Sequence, residues 1–141
     1  MKKIYTLFLL VFLLVGCSNV TVNKDKLVDK LDSKFDNILT ISKQELTDKY
    51  GVDTTKFKDY VFKVEDKIPI NIYILVLPKN KSEAKKEIEK FFNKKSELSN
   101  EVNIVRIKNR YQNNFGDYLF YIVSEHNKEI YSEMNEFIKT K

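Results

Sequence analysis

The sequence predicts an α+β domain: a four-stranded, mainly antiparallel sheet of two hairpins separated by a helix, packed with N-terminal, middle and C-terminal helices. Three observations predict it. Apolar residues recur at helical spacing over 24–39, over 80–98 and again after Ser124. Between those stretches the pattern switches to period two, over 60–77 and over 102–123. The chain is 141 residues long and 43% hydrophobic, with 3 Gly and 2 Pro, which suits one domain with one modest core and argues against disorder.

The first helix is predicted over 24–39. At 100° per residue, Leu27, Val28, Leu31, Phe35, Ile38 and Leu39 fall within an arc of about 120°. Asp25, Asp29, Asp32 and Asp36 stripe one flank of that arc, and Lys26, Lys30 and Lys34 the other. Ser42 and Glu45 have capping-box spacing, and Ile41 with Leu46 has the spacing of a hydrophobic staple. A short helix should therefore run to Tyr50 and end on Gly51 in the left-handed region. Asp53-Thr54-Thr55 starts a brief turn.

Tyr60, Phe62 and Val64 alternate in a first strand, and Glu65-Asp66-Lys67 supplies its turn. Ile68, Ile70, Ile72, Ile74 and Val76 share one face of the next strand, with Tyr73, Leu75 and Leu77 on the other. Two apolar faces mark a central strand. Pro69 sits near its start and Pro78 closes it. Asn80 and Glu83 cap a helix over 80–98 whose stripe is Ala84, Ile88, Phe91, Phe92 and Leu98. Lys95 falls inside that stripe but in the last turn, where its stem can snorkel. Residues 102–110 read as a strand, 111–116 as a loop and 118–123 as a second strand with two apolar faces. Ser124 is placed to cap the final helix, which carries Ile130, Tyr131, Met134, Phe137 and Ile138. Strands 68–77 and 118–123 should form the inner pair.

Composition excludes several kinds of chemistry. One Cys forms no intramolecular disulfide, and one Cys with one His cannot build a zinc cluster. No phosphate-cradling glycine loop or nucleophile elbow is present. The basic residues are 23 Lys and 2 Arg, a poor set for reading bases or phosphates bidentately, so nucleic acid is not an expected partner.

Met1-Lys2-Lys3 precedes an apolar stretch over 4–15, far short of the roughly 20 residues that span a membrane. A basic start, a short apolar core and small residues at its end are the layout of a secretory signal. That stretch closes on Leu14-Val15-Gly16-Cys17, which resembles the bacterial lipobox. By that resemblance cleavage follows Gly16, residues 1–16 are removed, and Cys17 carries diacylglycerol through a thioether, with acylation of its new amine. Residues 17–23 then form a lipidated tether and 24–141 a single α+β domain. Removing 1–16 takes two lysines and no acid from 25 basic and 20 acidic residues, leaving +3 of the net +5.

Three further features sit beside the lipobox: Tyr50-Gly51-Val52-Asp53 closing a helix, a Lys-rich helix after an isoleucine-rich strand, and the run from Gly116 and Asp117 through Tyr118, Leu119, Phe120, Tyr121, Ile122 and Val123 to Ser124. Together they resemble the domain-of-unknown-function family 4358, small lipoproteins common in Firmicutes, over about 42–138. The family has no assigned activity, so the resemblance transfers no catalytic residue.

Three candidate sites remain to be placed. Arg110, Tyr111, Asn113 and Phe115, with Gln112 and Asn114, combine a cation, two aromatics and amides, as contact surfaces for proteins or glycans do. The same residues also suit a hairpin loop whose aromatics cover the core edge. The four aspartates suit a solvated face balanced by lysines rather than a calcium site, which needs six to eight converging oxygens. His126 opens the last helix with no nucleophile or carboxylate at a recognisable catalytic spacing. The expected protein is therefore a lipid-anchored lipoprotein on the extracytoplasmic side of the cell membrane, with no cofactor and no metal. Its expected role is a noncatalytic binding module for an envelope protein or glycan; the alternative is an accessory cell-wall hydrolase or a regulator of an envelope enzyme.

Overall fold

The computed structural model describes residues 21–140. Gly16, Cys17 and the first part of the tether lie outside them. The elements run α1 (Lys24–Asp32), β1 (Leu39–Thr40), α2 (Lys43–Asp48), a 3-10 turn (Thr54–Lys56), β2 (Phe57–Glu65), β3 (Asn71–Pro78), α3 (Lys81–Glu97), α4 (Glu101–Lys108), β4 (Tyr111–Phe115), β5 (Tyr118–Val123) and α5 (Asn127–Lys139). The strands form one antiparallel sheet in the order β1-β2-β3-β5-β4.

The α+β class and the two hairpins agree with the sequence reading. The strand count does not: the sheet has five strands, because α1 stops early and frees a short edge strand. Ser33 ends α1 by returning its backbone N–H to Asp29, and two tight turns follow through Lys34 and Phe35. Leu39 and Thr40 then pair with Val64 and Lys63. Phe35 and Ile38 still pack on the core from these turns, which is why the helical spacing runs on past the helix.

Residues 102–110 form no strand; 101–108 are helical. Asn100 caps α4 by accepting from the N–H of Asn103. Val102, Ile104 and Arg106 alternate as a strand would, but Asn103 and Ile107, one turn apart, are the buried pair. The hairpins are consequently separated by two helices rather than one. Residues 111–115 are strand β4 and not a loop, and the connection shrinks to Gly116-Asp117. Of these two turn residues only Gly116 has positive φ (57°), matching the first central position of a type II′ turn.

Smaller differences have local causes. β2 starts at Phe57, three residues early, across an irregularity between Phe57 and Asp59. Ile68 precedes β3, beside a cis Ile68–Pro69 peptide, and its side chain is exposed. His126 takes the N-cap position of α5 with no side-chain bond, while Ser124 engages Asn127 instead. With β1 present, β2 joins β3 and β5 as an inner strand.

Two cores clasp the sheet. On one face, Phe62, Ile72, Ile74, Val76, Leu119 and Tyr121 meet α2, α3 and α4 through Leu46, Ile88, Phe91, Phe92 and Ile107. On the other, Tyr73, Leu75, Phe120 and Ile122 meet Leu27 and Leu31 of α1 and Ile130 and Met134 of α5. Burial of β3 from both sides follows from its two apolar faces. The other helix-end signals are fulfilled: Ser42 accepts from Glu45 N–H, Asn80 from Glu83 N–H, and Gly51 adopts φ 68° as Val52 N–H returns to Leu46.

The antiparallel register gives the molecule two ends. Phe57, Pro78, Tyr118 and Phe115 mark one, where α1 begins with Lys24 bound to Asp59. Residues 21–23, the described part of the segment read as a tether, lead into α1 here, so this end is called the tether end. The turn 66–70, Val123, Tyr111 and β1 mark the far end, about 25 Å away along an eight-residue strand.

Candidate functional site

Of the four residues singled out by sequence, Tyr111, Asn113 and Phe115 lie on β4 and Arg110 immediately precedes it, but they do not share a surface. Arg110 turns to the three-helix face, where its guanidinium lies 4.6 Å from the Phe92 ring centroid and donates to Glu89 at 2.7 Å. Tyr111, Asn113 and Phe115 turn the other way, as alternation requires. Asn113 Nδ2 donates to the Tyr111 hydroxyl at 2.8 Å, and Tyr111 lies against Tyr131 of α5. Phe115 is wholly buried between Phe120 and Tyr131. Its ring supplies core packing and offers no outer surface.

The aspartate stripe is divided between helix and turn. Asp32, the last residue of α1, accepts from the Tyr73 hydroxyl at 2.6 Å and from Lys63 Nζ at 3.0 Å. Burial, then the Asp32 carboxylate, pushes the Tyr73 hydroxyl well above its ordinary range, so it stays a donor. At the other end of α1, Asp59 accepts from Lys24 Nζ and from the Tyr118 hydroxyl, at 2.6 and 2.7 Å. Two carboxylates thus bolt α1 to the sheet. Asp36 has left the helix and lies 3.8 Å from Lys67.

Ser124, Glu125 and His126 are consecutive but not assembled for nucleophilic chemistry. Ser124 Oγ donates to Asn127 and accepts from the His126 backbone N–H, while the imidazole Nδ1 faces Glu129 at 2.8 Å. Among the described residues no three His, Cys, Asp or Glu side chains converge on a metal position. Among them, too, no helix is long and apolar enough to cross a membrane.

The far end carries features that sequence reasoning missed. Five large aliphatic side chains are conspicuously exposed among the described residues, from Leu98 at 54% to Ile68 at 66%; the others are Leu39, Val102 and Val105. All five belong to far-end segments. Leu39 opens β1, Ile68 lies in the β2–β3 turn, and Leu98, Val102 and Val105 follow the α3–α4 corner, where Lys95 reaches Asp66. Asn103 ties that corner to the turn: its Oδ1 accepts from Ile70 N–H at 2.9 Å and its Nδ2 donates to the Lys67 carbonyl at 3.1 Å.

A concavity of about 290 Å³ opens at the same end, with Lys34, Lys67, Pro69, Arg106, Glu125 and His126 among its borders. Arg106 donates to Asn71 at 2.8 Å, and its buried Nε finds no acceptor among the described residues. Asn71 donates onward to Glu65, which Lys67 grips at 2.8 Å. That Lys67 bond outweighs burial and, with Asn71, holds the Glu65 carboxyl below its usual range. The far end therefore offers aliphatic area and a polar hollow whose lysines are held by carboxylates. The one signal for it in the sequence was the Asn100–Asn103 cap, which as a helix start would have put Val102 and Val105 on a shared outer face.

Comparisons with family models, with curated proteins and with solved structures find no match to this chain. The likeness to family 4358 rests on the residues named for it above.

Proposed function

We propose that the chain is a membrane-anchored lipoprotein of the cell envelope, held on the extracytoplasmic side through Cys17 and working as a noncatalytic binding module. The observation that carries the binding role is the collection of exposed aliphatic side chains at the end away from the tether. Scattered apolar residues on a surface are ordinary, but their concentration at one end marks a contact region. Leu39, Ile68, Leu98, Val102 and Val105 offer area without aromatic faces, which favours an envelope protein over a glycan.

The anchor rests on Leu14-Val15-Gly16-Cys17 and on spacing. The six residues from Ser18 to Asn23 reach at most about 20 Å, so the tether end stays near the bilayer and the far end stands clear of it. Two acyl chains on diacylglycerol give stable rather than transient attachment. Growth with labelled palmitate, followed by fractionation, tests this part. The full chain incorporates label and sediments with membranes; Cys17→Ala loses both. A Cys17→Ala chain that keeps label and membrane retention contradicts the anchor. For the binding role, photocrosslinkers at positions 68 and 102 in living cells give a discrete protein adduct, which Val105→Asn weakens. An absence of adducts at the far end contradicts it.

A further inference from the structure

The tether end carries a second feature that the binding role does not use. Lys58, Lys79 and Lys81 rim a concavity of about 340 Å³, whose other polar borders include Asn114, Gly116 and Asp117. The three lysines come from β2, from the link after β3 and from the first turn of α3, and the register of the sheet brings them together. Their neighbours are already matched: Lys24 holds Asp59, and Lys56 faces Glu83. The side chains of Lys58, Lys79 and Lys81 have no ion-pair or hydrogen-bond partner among the described residues, and Asp117 is the single acid on the rim. Exposed ammonium groups left without carboxylates are free to meet an external anion.

We infer that the tether end is a membrane-facing surface, on which Lys58, Lys79 and Lys81 engage the anionic headgroups of the lipid bilayer that holds the anchor. The inference rests on the lipoprotein reading of Cys17 and adds an orientation to it. The occupant follows from where the chain outside the structure ends. The tether enters at Asn23, immediately before Lys24 on this same end, and spans at most about 20 Å. Cations held that close stay near the surface potential of anionic lipid, which decays over about 10 Å. The far end, about 25 Å further along the strands, lies outside that field. Lipid contact at one end and protein contact at the other then follow from one orientation.

The test uses the full chain, made in a bacterial host with labelled palmitate, extracted in detergent and reconstituted into vesicles. A photocrosslinking amino acid replaces Asn114 at the tether end or Ile68 at the far end. In vesicles of phosphatidylglycerol mixed with phosphatidylcholine, position 114 forms lipid adducts and position 68 forms few. Each lysine near an anionic surface is worth about a fivefold gain in occupancy, so the Lys58→Gln, Lys79→Gln, Lys81→Gln variant lowers the adduct yield at 114 by about tenfold or more. Pure phosphatidylcholine vesicles, or high salt, lower it likewise. A variant with the far-end lysines Lys94, Lys108 and Lys128 changed to Gln keeps the yield and controls for net charge. Equal adducts at 114 and 68, or a yield unmoved by the three-lysine change, overturns the orientation while palmitate incorporation still stands. Absence of palmitate incorporation overturns the lipoprotein reading and the orientation with it. Protection of position 114 by inorganic phosphate alone would assign the concavity to a soluble anion and also overturn the inference.

Discussion

Asp59 sets the clearest single-residue test. Its partial burial alone would raise the carboxyl pKa, but hydrogen bonds from Lys24 and Tyr118 outweigh that and hold it below the usual carboxylate range. A carboxyl whose folded pKa is depressed stabilises the fold above its unfolded value of about 4, and that contribution disappears as pH falls through the folded value. Denaturant melts between pH 6 and 2 should therefore lose stability below about pH 4 in the native chain, and Asp59→Asn should flatten that loss. Glu65, also held low, leaves a residual slope in the variant. An acid limb identical in both chains would show that Asp59 does not carry the bond assigned to it. Phe115 gives the second test at this scale. Its wholly buried ring makes Phe115→Ala cost about 3–5 kcal/mol in unfolding free energy, read from the denaturation midpoint. A surface ring at a binding site would cost far less. The reading of residues 110–115 as one contact surface required them to share a face, and period-two alternation on β4 separates Arg110 from Tyr111 and Phe115. Composition alone contained no sign of that separation.

Among the elements, α4 matters most, because it positions both the far-end aliphatics and the turn before β3. Asn103 is its link to that turn, bonding one buried N–H and one carbonyl. Asn103→Ala leaves both backbone groups short of a partner and should lower stability by about 2 kcal/mol, with faster amide exchange at Ile70 as the local readout. Gly51 closes α2 at φ 68° with open space where a Cβ would sit, so Gly51→Ala meets backbone strain alone and should cost roughly 1 kcal/mol in the same melt. Elements with a local cause were legible in the sequence. The caps at Ser42 and Asn80, the Gly51 stop and the two-faced β3 and β5 each follow from a few adjacent residues, whereas Lys95, expected to snorkel, is buried and held by Asp66. Elements decided by distant contacts were not. α1 ends where Asp32 meets Tyr73 and Lys63, and β1 exists because β2 offers it an edge. In 102–110 a run rich in Val and Ile fits either period, and Asn103 chooses the helix by bonding a turn more than thirty residues earlier.

At the scale of the whole molecule, the five-stranded sheet is covered by helices on both faces, and its two ends differ in chemistry. Lysines without partners among the described residues lie at the end where α1 begins, and exposed aliphatic side chains with a polar hollow lie opposite. This polarity was not legible in the sequence, because Lys58, Lys79 and Lys81, like Ile68 and Val102, become neighbours only through strand register and the α4 corner. The anchor reading rests on four consecutive residues, Leu14-Val15-Gly16-Cys17, which lie outside the described residues. An Ile68→Ser, Val102→Ser, Val105→Ser chain should keep its denaturation midpoint within about 0.5 kcal/mol per site of the native one, as exposed positions allow, yet lose its far-end crosslink. Loss of stability instead would mean that these side chains serve the fold. The claim on which the account turns is that Cys17 joins this domain to a lipid. Mass spectrometry of the N-terminal peptide from membrane-extracted protein tests it most directly. A lipoprotein yields a chain that begins at Cys17 and carries a diacylglyceryl thioether; a peptide that continues upstream of Gly16, or a Cys17 with a free thiol, rules the anchor out.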